Sequence, residues 1–133
     1  MSDLNVRILC VEDNRDSREM ISTLLQGADQ NYKVTAVATA AEALALTSRE
    51  AFDLFILDIW LPGMDGVELC RRLREQGIST PIMFFSAMGV KAKDQDYVLA
   101  AGADAFLVKS IDLDRLTDTV AELLSDRRSD LEG

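Results

Sequence analysis

Apolar runs and helix-period patterns alternate along the whole chain. Val6 to Val11 is a compact, largely apolar run and predicts a first strand. Met20, Ile21, Leu24 and Leu25 then fall on one face of a first helix, and Gln26-Gly27 is the expected stop. A weaker strand is predicted near Val34 to Val37. Thr39 with Glu42 has the spacing of a capping box, opening a second helix that should run to about Arg49. Leu54 to Leu57 is the third strand. Asp65 can cap a third helix, with Leu69, Cys70 and Leu73 facing inward and Gly77 ending it. Pro81 opens a fourth strand, Ile82 to Phe85. A fourth helix, around Ala92 to Ala101, has the weakest amphipathic pattern and should stop at Gly102. Ala105 to Val108 is the fifth strand, and Leu113, Leu116, Val120, Leu123 and Leu124 form the stripe of a fifth helix.

Five strands alternating with five helices predict an α/β domain built on a doubly wound parallel sheet. Strands one, three and four are nearly continuous apolar runs, as expected when both sheet faces are covered. Right-handed crossovers then bring every strand's C-terminal end to one edge, where such folds bind ligands.

The length of 133 residues fits one domain. It is read as residues 1–125, followed by a polar tail at 126–133 that is expected to fray. With 48% hydrophobic residues the chain can fill a core, and no apolar stretch approaches the ~20 residues that span a bilayer. The opening Met1-Ser2-Asp3-Leu4-Asn5 is polar and lacks the look of a signal peptide, so a cytoplasmic protein is expected. The net charge of −9 opposes nonspecific binding to nucleic acid. The chain has no histidine, which excludes histidine-dependent triads, histidine-ligated zinc and a phosphohistidine-carrying role. Cys10 and Cys70 occupy apolar positions and read as buried, reduced packing residues.

The chemistry collects at the C-terminal edge of the sheet. Glu12 and Asp13 follow strand one, Asp58 ends strand three, Ser86 ends strand four and Lys109 follows strand five. Taken singly, each has a bland reading: a turn acid, a helix-opening acid pair, a strand-end hydroxyl, a surface lysine. Taken together, three acids would repel one another unless a cation sat among them. A carboxylate can attack phosphorus and form an aspartyl phosphate. Mg²⁺ favours one or two carboxylates plus water and substrate oxygens. A lysine ammonium supplies a mobile point charge to a phosphoryl oxygen, and a serine hydroxyl can donate to another. Phosphoryl transfer of this kind runs on positioning and electrostatics.

The motifs Glu12-Asp13, Asp58 with Leu61-Pro62-Gly63-Met64-Asp65-Gly66, Ser86-Ala87, Gly102-Ala103-Asp104 and Lys109 stand in an order and spacing that is highly specific. From about Val6 to Leu124 the sequence resembles a CheY-like response-regulator receiver domain of two-component signalling. The resemblance implies a flavodoxin-like sheet of order 2-1-3-4-5. It implies Asp58 as phosphoacceptor, with Glu12, Asp13, Asp58 and the Trp60 backbone carbonyl around Mg²⁺, or Mn²⁺ in its place. Lys109 and Ser86 would act on the phosphoryl group, and Ser86 with Phe106 would form the switch. The donor would be a phosphohistidine on a sensor histidine kinase or histidine phosphotransfer protein. Phosphorylation would alter the face of helix four, strand five and helix five toward a downstream protein or a second copy of the chain. Direct contact with nucleic acid or membrane is not expected of this domain, nor is an enzymatic role beyond its own phosphorylation and dephosphorylation.

Three departures qualify the resemblance. The family usually has proline after its lysine, whereas this chain has Lys109-Ser110. A cis bond before a non-proline costs roughly 2.5–4 kcal/mol, so a trans bond and a locally different loop are expected. Trp60 and Met88 stand two residues beyond Asp58 and Ser86, where the family tunes dephosphorylation; both are bulky and position water poorly, so a long-lived phosphoryl group is expected. Phe106 lacks the hydroxyl of a tyrosine, so any coupling through it must be steric.

Competing functions fit less well. A haloacid-dehalogenase-type phosphatase needs an aspartate two residues after the nucleophile, and Trp60 stands there. A flavodoxin-type carrier needs a phosphate-cradling loop after strand one, and Glu12-Asp13-Asn14 would repel that phosphate. A phosphate-independent pseudo-receiver usually loses part of the acid-lysine set, and this chain retains it.

Overall fold

The computed structural model describes residues 5–87, 96 and 98–132, with side chains as far as Asp126. Five parallel strands, β1 (Val6–Val11), β2 (Tyr32–Val37), β3 (Leu54–Leu57), β4 (Ile82–Ser86) and β5 (Ala105–Val108), form one sheet of order β2-β1-β3-β4-β5. The connecting helices are α1 (Arg15–Ala28), α2 (Ala40–Thr47), α3 (Gly66–Glu75) and α4, of which residues 96 and 98–100 are described. After β5 come a short helix α5 (Lys109–Asp112), a 3-10 turn (Leu113–Arg115) and the long α6 (Leu116–Glu132). Much of the stretch expected as helix four lies outside the described residues, as does Met88. Among the described residues no helix is long and apolar enough to cross a membrane.

The alternation of side chains along a strand explains two cores from one sheet. Leu9, Val11, Phe55, Leu57 and Phe84 pack against Leu69 and Leu73 of α3 and Ala40 and Ala43 of α2. Their neighbours Ile8, Cys10, Leu54, Ile56, Met83 and Phe85 pack against Ile21 and Leu25 of α1 and Leu116 and Val120 of α6. Every residue of β3 and β4 is buried, which is why these strands read as unbroken apolar runs.

Side-chain caps set the helix starts. Asn14 Oδ1 accepts from Ser17 N at 2.9 Å, Thr39 Oγ1 from Glu42 N at 3.1 Å, and Asp65 Oδ1 from Glu68 N at 2.9 Å. At the end of α3, Gly77 has φ +83°, with Ile78 N donating to Leu73 O (3.1 Å) and Gly77 N to Arg74 O (3.0 Å). These bonds make a Schellman motif, in which glycine accepts the left-handed conformation without strain.

Several boundaries differ from the sequence reading. α1 runs through Gly27 to Ala28, because burial of Ile21 and Leu25 outweighs a glycine's cost of about 1 kcal/mol. β2 begins at Tyr32, which pairs with Val6 and is buried. α2 stops at Thr47, with Ser48 as its C-cap. β4 takes in Ser86, paired with Val108. The segment from Asp126, read as a fraying tail, continues α6 to Glu132; no glycine or proline interrupts it before Gly133. The Lys109–Ser110 bond is trans, and α5 begins at Lys109 itself, with Val108 N donating to Asp112 Oδ2 at 2.9 Å.

At the edge opposite the strand C-termini, Arg74 fastens three segments together. It donates to Gly102 O (2.9 Å from Nε, 2.8 Å from Nη2), Ile78 O (2.9 Å), Thr80 O (2.7 Å) and Asp104 Oδ2 (3.0 Å). Asp104 Oδ2 also accepts from Ile82 N at 2.9 Å.

Candidate functional site

Each chemical group reaches the C-terminal edge because its strand stops there. Glu12 N still donates to Val37 O (3.0 Å), and Asp58 N to Val11 O (2.9 Å), so both acids prolong the sheet by one backbone bond. Their carboxylates are therefore set by the sheet and not by a loose loop. Glu12 is 2% exposed and Asp58 7%, whereas Asp13 is exposed. One oxygen from each of Glu12, Asp13 and Asp58 lies within 4.8 Å of the others.

Lys109 is the counter-charge. Its Nζ hydrogen-bonds Glu12 Oε2 and lies 3.8 Å from Asp58 Oδ2. The other Glu12 oxygen accepts from Asn14 N at 3.0 Å. Asp58 Oδ1 accepts from Trp60 N at 3.2 Å, which folds the start of the β3–α3 loop back over the acid. Gly66 closes that loop, with its N–H donating to Ile59 O at 2.9 Å. A Cβ there would lie 2.0 Å from Asp58 O, so only glycine permits the loop to return so closely.

Burial pushes the Glu12 carboxyl above its ordinary range. The hydrogen bond from Lys109 pulls it back down, and the neighbouring Asp58 raises it again. With all three acids ionised, one ammonium leaves the cluster with a surplus of two negative charges. Hard oxygen donors with that surplus fit a small divalent cation such as Mg²⁺ or Mn²⁺.

The remaining predicted groups fall around this cluster. Ser86, the last residue of β4, is fully buried, and among the described residues its Oγ has no hydrogen-bond partner. A buried hydroxyl without a partner is costly, and an arriving acceptor oxygen would relieve it. Phe106, on the neighbouring strand, pairs with Phe84 in register and is half-buried against the α3-side core. Trp60 is 57% exposed on the loop after Asp58. Cys10 and Cys70 lie in the core as free thiols; burial, the largest cause in both, pushes them up to about 12 and about 11, so both stay protonated.

Two features were not read from the sequence. Lys109 was assigned only to a phosphoryl oxygen, yet here it engages Glu12. Arg18 was not singled out, yet its Nη1 donates to both Glu12 O (2.9 Å) and Asp13 O (3.0 Å). The available signal was a cation in the opening turns of the helix that follows an acid pair, at a spacing that lets it reach back.

Residues 8–121 match the family model of the response regulator receiver domain. The chain belongs to the response regulator receiver family. This receiver domain is 40% identical over 124 residues to the two-component response regulator PhoP of Pseudomonas aeruginosa, covering 93% of this chain and 53% of the relative. It is 37% identical over 111 residues to the transcriptional regulatory protein TcrA of Mycobacterium tuberculosis, covering 84% and 43%. The receiver thus spans about half the length of the curated relatives it matches. Among solved structures, a CheY-like receiver domain protein from Methanospirillum hungatei superposes with a TM-score of 0.85 at 28% identity, covering 95% of this chain and 98% of the other. The response regulator TrrA of Thermotoga maritima, solved in complex with Mg²⁺-BeF, gives a TM-score of 0.77 at 31% identity, covering 89% and 98%.

Proposed function

We propose that this receiver is a phosphorylation-activated switch whose phosphoacceptor is Asp58. The observation that carries the reading is the buried Asp58 carboxylate, held at a sheet edge between two further acids and the Lys109 ammonium. The Mg²⁺-BeF complex of the Thermotoga maritima relative supports it.

Asp58 attacks the phosphorus of a phosphohistidine on a sensor histidine kinase or histidine phosphotransfer protein. The Asp58 O–P bond forms as the donor's N–P bond breaks, and the electron pair returns to the imidazole nitrogen. Glu12, Asp13, Asp58 and the Trp60 carbonyl would hold Mg²⁺, which would offset charge on the phosphoryl oxygens, and Mn²⁺ would suit the same donors. Lys109 exchanges its bond to Glu12 for one to a phosphoryl oxygen. Ser86 Oγ, without a partner among the described residues, donates to another. That movement vacates space beside β5, which the Phe106 ring fills sterically, and the face formed by α4, β5 and the segment after it changes toward a downstream protein or a second copy. A ligand shifts such an equilibrium only by its preference for one state, and here the preference resides in the Lys109 and Ser86 contacts. Trp60 and Met88 stand two residues beyond Asp58 and Ser86 in the sequence, and both are bulky and position water poorly, giving a long-lived phosphoryl group.

The test is incubation with a small-molecule phosphodonor and Mg²⁺, followed by intact-mass measurement. One phosphoryl group is expected on the wild type and none on Asp58→Asn. Incorporation that survives Asp58→Asn defeats the assignment, and loss within seconds without a phosphatase defeats the lifetime.

A further inference from the structure

Arg18 lies four residues past the N-cap Asn14, where a helical side chain leans back over the helix N-terminus. There Nη1 donates to Glu12 O at 2.9 Å and to Asp13 O at 3.0 Å. These carbonyls lie between the last residue of β1 and Asn14, whose own carbonyl accepts from Arg18 N at 3.0 Å as the first bond of the helix. The linking peptides therefore fall outside both regular ladders, and a charged donor holds them instead. Such bonds are roughly twice as strong as neutral ones.

The two acids on these peptides depend on that hold unequally. The Glu12 carboxylate is buried and engaged at both oxygens, by Asn14 N and by Lys109. The Asp13 carboxylate is exposed, so its place in the cluster follows from where its main chain is held. We propose that Arg18 is a positioning residue for the cation site, fixing the Glu12–Asp13 main chain so that Asp13 keeps its oxygen within the reach of Glu12 and Asp58. The proposal rests on the reading that these acids hold a divalent cation.

Two roles for Arg18 predict opposite signs. A guanidinium acting only as a nearby positive charge repels the cation, so its removal tightens binding. A guanidinium acting through the main chain orders Asp13, so its removal weakens binding. Loss of an outer-shell partner typically weakens a metal site by 10–100-fold, and an exposed ligand places the expectation near the lower end, about 10-fold.

The experiment is Mg²⁺ titration of the wild type, Arg18→Met and Arg18→Lys by calorimetry and by Trp60 fluorescence, with amide hydrogen exchange on the metal-free proteins. About 10-fold weaker binding is expected for Arg18→Met. Weaker binding than wild type is also expected for Arg18→Lys, which keeps the charge and replaces the planar fork. Exchange should quicken at Asp13 and Asn14 and stay unchanged in β1; a general loss of stability would quicken it throughout. Unchanged or tighter binding in both variants, or exchange at Asp13 and Asn14 equal to wild type, overturns the proposal. If Arg18→Met does not fold, Arg18→Lys decides by the same criteria. A wild type that binds no Mg²⁺ overturns the cation reading instead, and the exchange measurement then decides the hold on the main chain by itself.

Discussion

Replacing Lys109 by methionine removes one charge while keeping most of the side-chain stem. In the metal-free protein it strands Glu12 and Asp58, whose side chains are 3% and 8% exposed. Removing one partner of a buried ion pair costs about 3–5 kcal/mol, and the open side at Asp13 argues for about 3. A denaturant slope of about 2 kcal/mol per molar urea then lowers the unfolding midpoint by about 1.5 M. The cost depends on pH in a direction that the structure fixes. Burial already holds the Glu12 carboxyl above its ordinary range, and Lys109 is the hydrogen-bonding partner that most lowers it. Without Lys109 the folded-state value rises further above the unfolded one. The folded state then binds the proton more readily, so the penalty is full at pH above the folded value and shrinks as pH falls toward the ordinary glutamate range. Urea melts in a chelator across that range measure it, and adding Glu12→Gln to Lys109→Met should recover most of the loss. A midpoint within about 0.3 M of wild type, a pH-independent shift, or a double variant no more stable than the single would refute the reasoning.

Gly66→Ala places a Cβ 2.0 Å from the Asp58 carbonyl oxygen, which is backbone and cannot turn aside. A loss of about 3 kcal/mol is expected, with weakened Mg²⁺ binding as Asp58 is displaced; a melting curve and Mg²⁺ titration matching wild type would contradict the tight loop. Mg²⁺ at about 100 times its dissociation constant should stabilise the wild type by about 2.7 kcal/mol. Asp13→Asn should invert that pattern: it raises the melting temperature in chelator, because a like charge leaves the cluster, and it loses most of the rise with Mg²⁺. Equal Mg²⁺ stabilisation of wild type and Asp13→Asn would remove Asp13 from the site.

The strands carrying the site were legible because both sheet faces are covered. β3, β4 and β1 from Ile8 onward are buried and had to be apolar on consecutive residues, so Glu12, Asp58 and Ser86 stood out where the runs ended. The grouping of the three acids followed from topology alone, since parallel strands end at one edge. Lys109 was legible as a member of the group but not as the partner of Glu12, because that contact joins residues from β1 and β5, which are not neighbours in the sheet. The start of β2 at Tyr32 was missed because Lys33 and Thr35 interrupt the pattern on an edge strand with one exposed face. The passage of α1 through Gly27 was missed because local propensity yielded to packing of Leu25. The lack of a partner for Ser86 Oγ among the described residues depends on what surrounds the strand end, which no local pattern encodes.

Arg74 gives the β4–β5 half of the sheet a fulcrum. Its guanidinium grips four oxygens on the segments that lead into the two strands. At the other end the same strands finish at a hydroxyl that has no partner among the described residues and beside a lysine divided between two acids. A change at Asp58 would therefore meet no side-chain hydrogen bond of Ser86 among the described residues and a charged clasp at Gly102 and Asp104. If Asp58 is phosphorylated as proposed, displacement along β4 and β5 is expected to be greatest at the C-terminal edge and to die away toward Arg74, as in a lever pinned at its far end.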